Sequence, residues 1–202
     1  MTGSSDFITH GLSEARLALT NIIGMTNIHL KPQTLTRSLK RRAMARLVQL
    51  EIIVRRLLTL MALALQLAPV HPRARAVSTP LPDGVELISF PAPRRFALSA
   101  RLQAAFDPDA SVHFPCTVRA CGPVPAAPFL DRVSSLYRVL AAPEVHARRL
   151  ARSLERQKRR GDPRPCALPM VGTYRLRPEL GIVATALPGM LAAALESWDN
   201  TS

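Results

Sequence analysis

The run 36–68, TRSLKRRAMARLVQLEIIVRRLLTLMALALQLA, limits what this chain can fold into more than any other stretch. Leu47, Leu50, Val54, Leu57, Met61, Ala64 and Ala68 recur at alternating spacings of 3 and 4, which is a heptad seam, and Ala43 extends it one step back. Ile53, Leu60 and Leu67 widen the stripe on one side, Leu58 and Leu65 on the other. Beyond Glu51 only Arg55, Arg56, Thr59 and Gln66 are polar. Such a run predicts one long helix over 36–68, roughly 50 Å long at about 1.5 Å per residue. Its apolar face is too wide for a two-stranded coiled coil and cannot stay in contact with water.

Three things could cover that face: the rest of the chain, a partner or second copy, or lipid. Residues 57–70 give 14 largely apolar positions, against about 20 for a spanning helix. Extension backwards brings in Arg55 and Arg56, each costing roughly 2.5–3.5 kcal/mol near a bilayer centre. Protein cover is therefore the leading expectation. Interfacial attachment of 52–68, with its basic flank on anionic headgroups, is the membrane alternative.

Charge adds a second constraint. Of 27 cationic residues only Lys31, Lys40 and Lys158 are lysines, and the formal net charge is +13. Arginine forks match phosphate geometry, so the balance points toward anionic partners, although a GC-rich coding bias gives the same composition. Arg37, Lys40, Arg41, Arg42 and Arg46 crowd the first turns of the long helix, where the macrodipole is already positive. Each exposed cation there costs roughly 0.3–1 kcal/mol. These five are the candidate anion-binding residues; Leu47, Leu50, Val54, Leu57 and Met61 are the candidate interaction face.

Eighteen prolines must sit mostly in connections, which predicts extensive irregular chain. The chain divides into an N-terminal helical segment (1–68), a proline-rich linker region (69–128) and a C-terminal helical region (129–202). In the first, LSEARLALTNII reads as a short helix over 12–23 capped by Ser13, with Leu12, Leu17, Leu19, Ile22 and Ile23 on one face. Thr34 or Thr36 caps the long helix. In the middle region, VELISF (85–90) alternates as a strand, 94–106 is strand or helix, and an edge strand fits near Thr117 and Val118, leaving room for one small hairpin within 85–119. In the last, Leu130, Val133, Tyr137 and Leu140 mark a helix ending at Ala142. Pro143 starts another, with Ala147, Leu150, Ala151 and Leu154 inside, Arg148, Arg152, Arg156 and Arg159 outside, and Glu144–Arg148 and Glu155–Arg159 as ion pairs. A strand is expected at 173–176, GIVATAL (181–187) is strand or buried turn, and Pro188 and Gly189 open a last helix ending near Trp198.

The segments RVLAAPEVHARRLARSLERQKRRG and LVQLEIIVRRLLTLMALAL, the latter preceding a proline-rich middle, resemble a group of short, Arg- and Pro-rich uncharacterised alphaproteobacterial proteins. The resemblance implies a bacterial origin and carries no activity.

Chemistry-bearing motifs are sparse. His113, Cys116, Cys121 and Cys166 could supply four zinc ligands, but the C-x₄-C spacing is at the edge of the usual range and prolines stiffen the loop. An odd number of cysteines does not read as a disulfide framework. The sequence contains no G-x-S-x-G elbow, P-loop or dinucleotide fingerprint, and its five histidines sit in unrelated contexts. The start, MTGSSDFITHGLSE, lacks the pattern of a secretory leader. The expectation is a mainly α protein, non-catalytic and without a cofactor, cytoplasmic with a possible membrane association. Its long helix 36–68 would pack on 129–142 and 188–198, and it would associate with a protein partner or itself through 47–68 while its arginines face an anionic partner. Anchorage by 52–68 and non-specific nucleic-acid binding are the alternatives; the pI near 11.3 favours the second, the lack of interleaved aromatics opposes it.

Overall fold

The computed structural model describes residues 2–67, 96, 122–165 and 176–198. They form five helices and one minimal sheet: α1 (Thr2–Thr26), β1 (Thr34–Leu35), α2 (Arg37–Ala64), β2 (Val124–Pro125), α3 (Ala127–Ala141), α4 (Pro143–Arg159) and α5 (Pro178–Leu195). The protein is mainly α, with α2 at the centre and the other four helices packed on it.

α1 is longer than the sequence suggests and is the most extensive partner of α2. Ile8, Leu12, Ala15, Leu19 and Ile22 are buried at spacings of 4, 3, 4 and 3, so α1 carries its own heptad seam. Ser13 lies inside this helix rather than capping it, and Leu17 is exposed. The helix stops at Asn27, which adopts the left-handed conformation (φ 49°) that asparagine tolerates better than most residues. A 3-10 turn over Ile28–Leu30 and a left-handed Lys31 then reverse the chain into β1. Met25 meets Arg46 and Gly11 meets Leu57, so α1 and α2 form an antiparallel hairpin. Gly11 marks their closest approach: a Cβ there would lie 2.8 Å from Leu57 Cδ2 and 3.2 Å from Val183 Cγ1.

Thr36, in extended conformation, occupies the N-cap position of α2, but its side chain makes no capping hydrogen bond. The helix ends at Ala64, four residues early, because Leu65 turns extended (ψ 124°). Ala64 is consequently exposed, and Ala68 lies outside the described residues. From Ala43 to Leu57 the seam is fully enclosed. Leu47, Val54 and Leu57 are 0% exposed and Leu50 is 1%; the flanking Ile53, Leu58 and Leu60 are buried too. Burial on several sides follows from having α1, α3, α4 and α5 around one rod.

The sheet is not a hairpin within 85–119, a range that lies outside the described residues apart from Phe96. It is a long-range antiparallel pair, Thr34 with Pro125 and Leu35 with Val124, extended by the Ala126 amide donating to Gln33 O at 2.9 Å. This pair pins the start of α3 beside the start of α2. α3 buries Phe129, Val133, Leu136, Val139 and Leu140, so its inner face is rotated from the expected one and Tyr137 points outward. Arg16 closes its far end, donating from Nε and Nη2 to Leu140 O at 3.2 and 2.9 Å. A cation belongs at that carbonyl-rich terminus. Pro143 opens α4 as expected, and Ala147, Leu150, Ala151 and Leu154 are its buried face.

α5 corrects the sequence reading most. Residues 181–187 are neither strand nor turn, and Pro188 does not start a helix; it sits inside one that begins at Pro178. Leu180, Val183, Ala184, Leu187, Leu191 and Leu195 form a continuous buried stripe, and that burial outweighs the local preference of Ile182, Val183 and Thr185 for extended chain. The expected strand at 173–176 falls outside the described residues except for Leu176, which lies in a bend. The segments 1–68 and 129–202 thus contribute to one shared core.

Candidate anionic-partner interface

The five cations expected to act together at the head of α2 do not converge on one spot. Arg37, Arg41, Arg42 and Arg46 are exposed, and Lys40 is half-buried. Lys40 Nζ turns to the β2 side, donating to Pro125 O at 3.2 Å, whereas Arg46 Nη1 turns to α1, donating to Met25 Sδ at 3.4 Å. Arg37 and Arg41, one turn apart, share a further side of the helix. The cluster is therefore distributed around the rod and reaches three neighbourhoods.

α4 carries the more concentrated charge. At about 100° of rotation per residue, Arg148, Arg149, Arg152, Arg156 and Arg159 fall within about 100° of arc, opposite the buried stripe, and the face runs for roughly 16 Å. All five are exposed. Arg159 pairs with Glu155, and Arg156 Nε donates to Arg152 O at 3.3 Å; the expected Glu144–Arg148 pair is not closed. No acid pairs with Arg148, Arg149 or Arg152 among the described residues. These three lie well before the last turn, so the helix dipole does not account for them. Like charges one turn apart, as in Arg148, Arg152 and Arg156, each weaken the helix by a few tenths of a kcal/mol. Arg149 is the member that the sequence reading does not single out; its position one residue from Arg148 is the available signal. It also acts on His146. Partial burial and the neighbouring Arg149 charge hold the His146 imidazole below its ordinary value.

Arg132 of α3 has another task. Glu51, the single acid of α2, is 2% exposed, and Arg132 clamps it with Nε to Oε1 at 2.5 Å and Nη2 to Oε2 at 2.6 Å. Arg55 adds a third contact at 3.3 Å and stacks its guanidinium 4.6 Å from the Phe96 ring centroid. The hydrogen bond to Glu51 raises the Arg132 value against the opposing effect of burial, so this cation is held charged inside the fold. Sequence reasoning singles out neither partner, although an isolated carboxylate beside a heptad seam is itself a signal that a cation must reach it.

The candidate interaction face proves to be core. Leu47, Leu50, Val54 and Leu57 contact the chain's own helices, and Met61 is half-buried. His113, Cys116, Cys121 and Cys166 lie outside the described residues, and no cluster of three metal-ligating side chains occurs among those described. Comparison of the chain with family models, curated proteins and solved structures returns no match.

Proposed function

We propose that this protein is a non-catalytic helical module that meets an extended anionic partner, best matched by a nucleic-acid backbone, through the outward arginines of α4. The observation that carries the reading is the set Arg148, Arg149 and Arg152, exposed, mid-helix and without an acid partner among the described residues, on a chain of net charge +13. An arrangement that costs the helix stability in isolation gains stability when phosphates neutralise it. Arg37, Arg41 and Arg42 supply a second basic area. Few aromatics are available for stacking, so contact is with charge rather than with base sequence. A labelled 20-base-pair duplex followed by fluorescence anisotropy tests this. Binding is expected to be sequence-independent and to fall by orders of magnitude between 50 and 200 mM salt. Replacing Arg148, Arg149 and Arg152 together by Gln is expected to weaken binding at least tenfold and to reduce the salt slope by about 2–3. Unchanged affinity in that variant contradicts the reading.

A membrane-held protein is the second reading, and the feature that supports it lies at α5 rather than at 52–68. α5 is the one described helix long and apolar enough to cross a membrane, and Ile182 on its outer side is 69% exposed. Recovery only in membranes, resistant to high salt, would favour it over the first.

A further inference from the structure

A cavity of about 180 Å³ opens where α1, the first half of α2 and the start of α5 meet. Its floor is apolar, made by Ile22, Leu50 and Leu180, all buried; Asn21, Arg46 and Arg177 stand at its rim. The hollow as a whole, open to solvent on its rim side, is comparable in volume to an enclosed cavity of about 150 Å³ that accommodates benzene. The rim is cationic and weakly satisfied. Arg46 donates to a thioether, a poor acceptor, at 3.4 Å. Arg177 Nη1 stands 3.8 Å from Glu14 Oε2, too far for a hydrogen bond, and that buried oxygen accepts none. Among the described residues neither guanidinium has a hydrogen-bonded carboxylate, and both face one greasy hollow.

We infer that this cavity binds a monocarboxylate carrying a short aliphatic group of about five to eight carbons, with the alkyl part on the floor and the carboxylate between Arg46 and Arg177. A carboxylate accepts a guanidinium fork side-on, and the attached chain covers Ile22, Leu50 and Leu180, which an inorganic anion cannot do. The same chemistry comes from a free fatty acid or from the C-terminus of a peptide ending in an aliphatic residue. The site is separate from the α4 face, so it stands whether or not the duplex binds.

Titration of the full chain with hexanoate and with N-acetylleucine, followed by amide chemical shifts, tests the inference and distinguishes the two sources. Saturable shifts are expected at 18–22, 46–50 and 176–180, with the acid binding at least tenfold tighter than its uncharged amide. Arg46→Gln, on an exposed side chain, is expected to weaken binding at least fivefold. Ala18→Leu, which fills the wall of the cavity and keeps both guanidiniums, is expected to abolish it. Tighter binding of hexanoate assigns a free acid; tighter binding of N-acetylleucine assigns a peptide terminus. Equal affinity for acid and amide, retained binding in a folded Ala18→Leu variant, or no saturation by 50 mM of either acid overturns the inference. Should Ala18→Leu fail to fold, unchanged affinity in Arg46→Gln overturns it equally.

Discussion

Glu51 and Arg132 show how one polar pair can fix the docking of two helices. The carboxylate is out of water, and its two oxygens are met by one fork, with Arg55 adding a second guanidinium. Removing the cation leaves a buried charge short of partners, so Arg132→Met is expected to destabilise the fold by about 3 kcal/mol in urea denaturation. The double variant Glu51→Leu with Arg132→Met is expected to lose less than that single one, because no charge is then stranded. His146 gives a pH dependence of definite sign. Its folded value lies below its unfolded one, through burial first and the Arg149 charge second, so the native state favours the neutral ring. The stability this contributes is complete above the ordinary histidine value near 6.5 and is lost as pH falls through the depressed one. An NMR titration is expected to place the His146 midpoint below 6.5, and Arg149→Gln is expected to move it up.

The helices are legible in the sequence to the extent that their burial is one-sided. α4 has a narrow apolar face and a mostly polar remainder, and its start at Pro143 and its inner residues read correctly. α2 reads correctly as a long helix, but its end at Ala64 depends on a local turn at Leu65 that the apolar pattern does not encode. α1 reads too short because Gly11, just before the expected start, occupies an inner position where size, rather than hydrophobicity, decides the packing. α5 misleads because β-branched residues and Pro188 favour other local structure, and only the tertiary stripe from Leu180 to Leu195 reveals the helix. The basic site is half legible: residue types point to anions, but pairing decides which cations are free to act, and pairing is set by the fold. The glycines convert this into a contrast. A methyl group added at Gly24 would meet nothing within 4 Å, so Gly24→Ala is expected to raise stability by about 0.5–1 kcal/mol. Gly11→Val meets Leu57 and Val183 and is expected to lower it by about 1–3 kcal/mol, both read from thermal melts.

Taken whole, the chain uses its own helices to enclose α2 and leaves the arginines of α4 outside. Truncating a residue at that centre removes contacts on several sides, so Leu57→Ala is expected to cost about 2–5 kcal/mol. A surface that merely awaited a partner would tolerate the same change in the isolated protein. Intramolecular cover of α2 is open to a direct check by hydrogen exchange of the amides in 47–62. Strong protection is expected, unchanged across a hundredfold range of protein concentration and without detergent or lipid. Protection that grows with concentration, or that appears only when lipid is added, would contradict it.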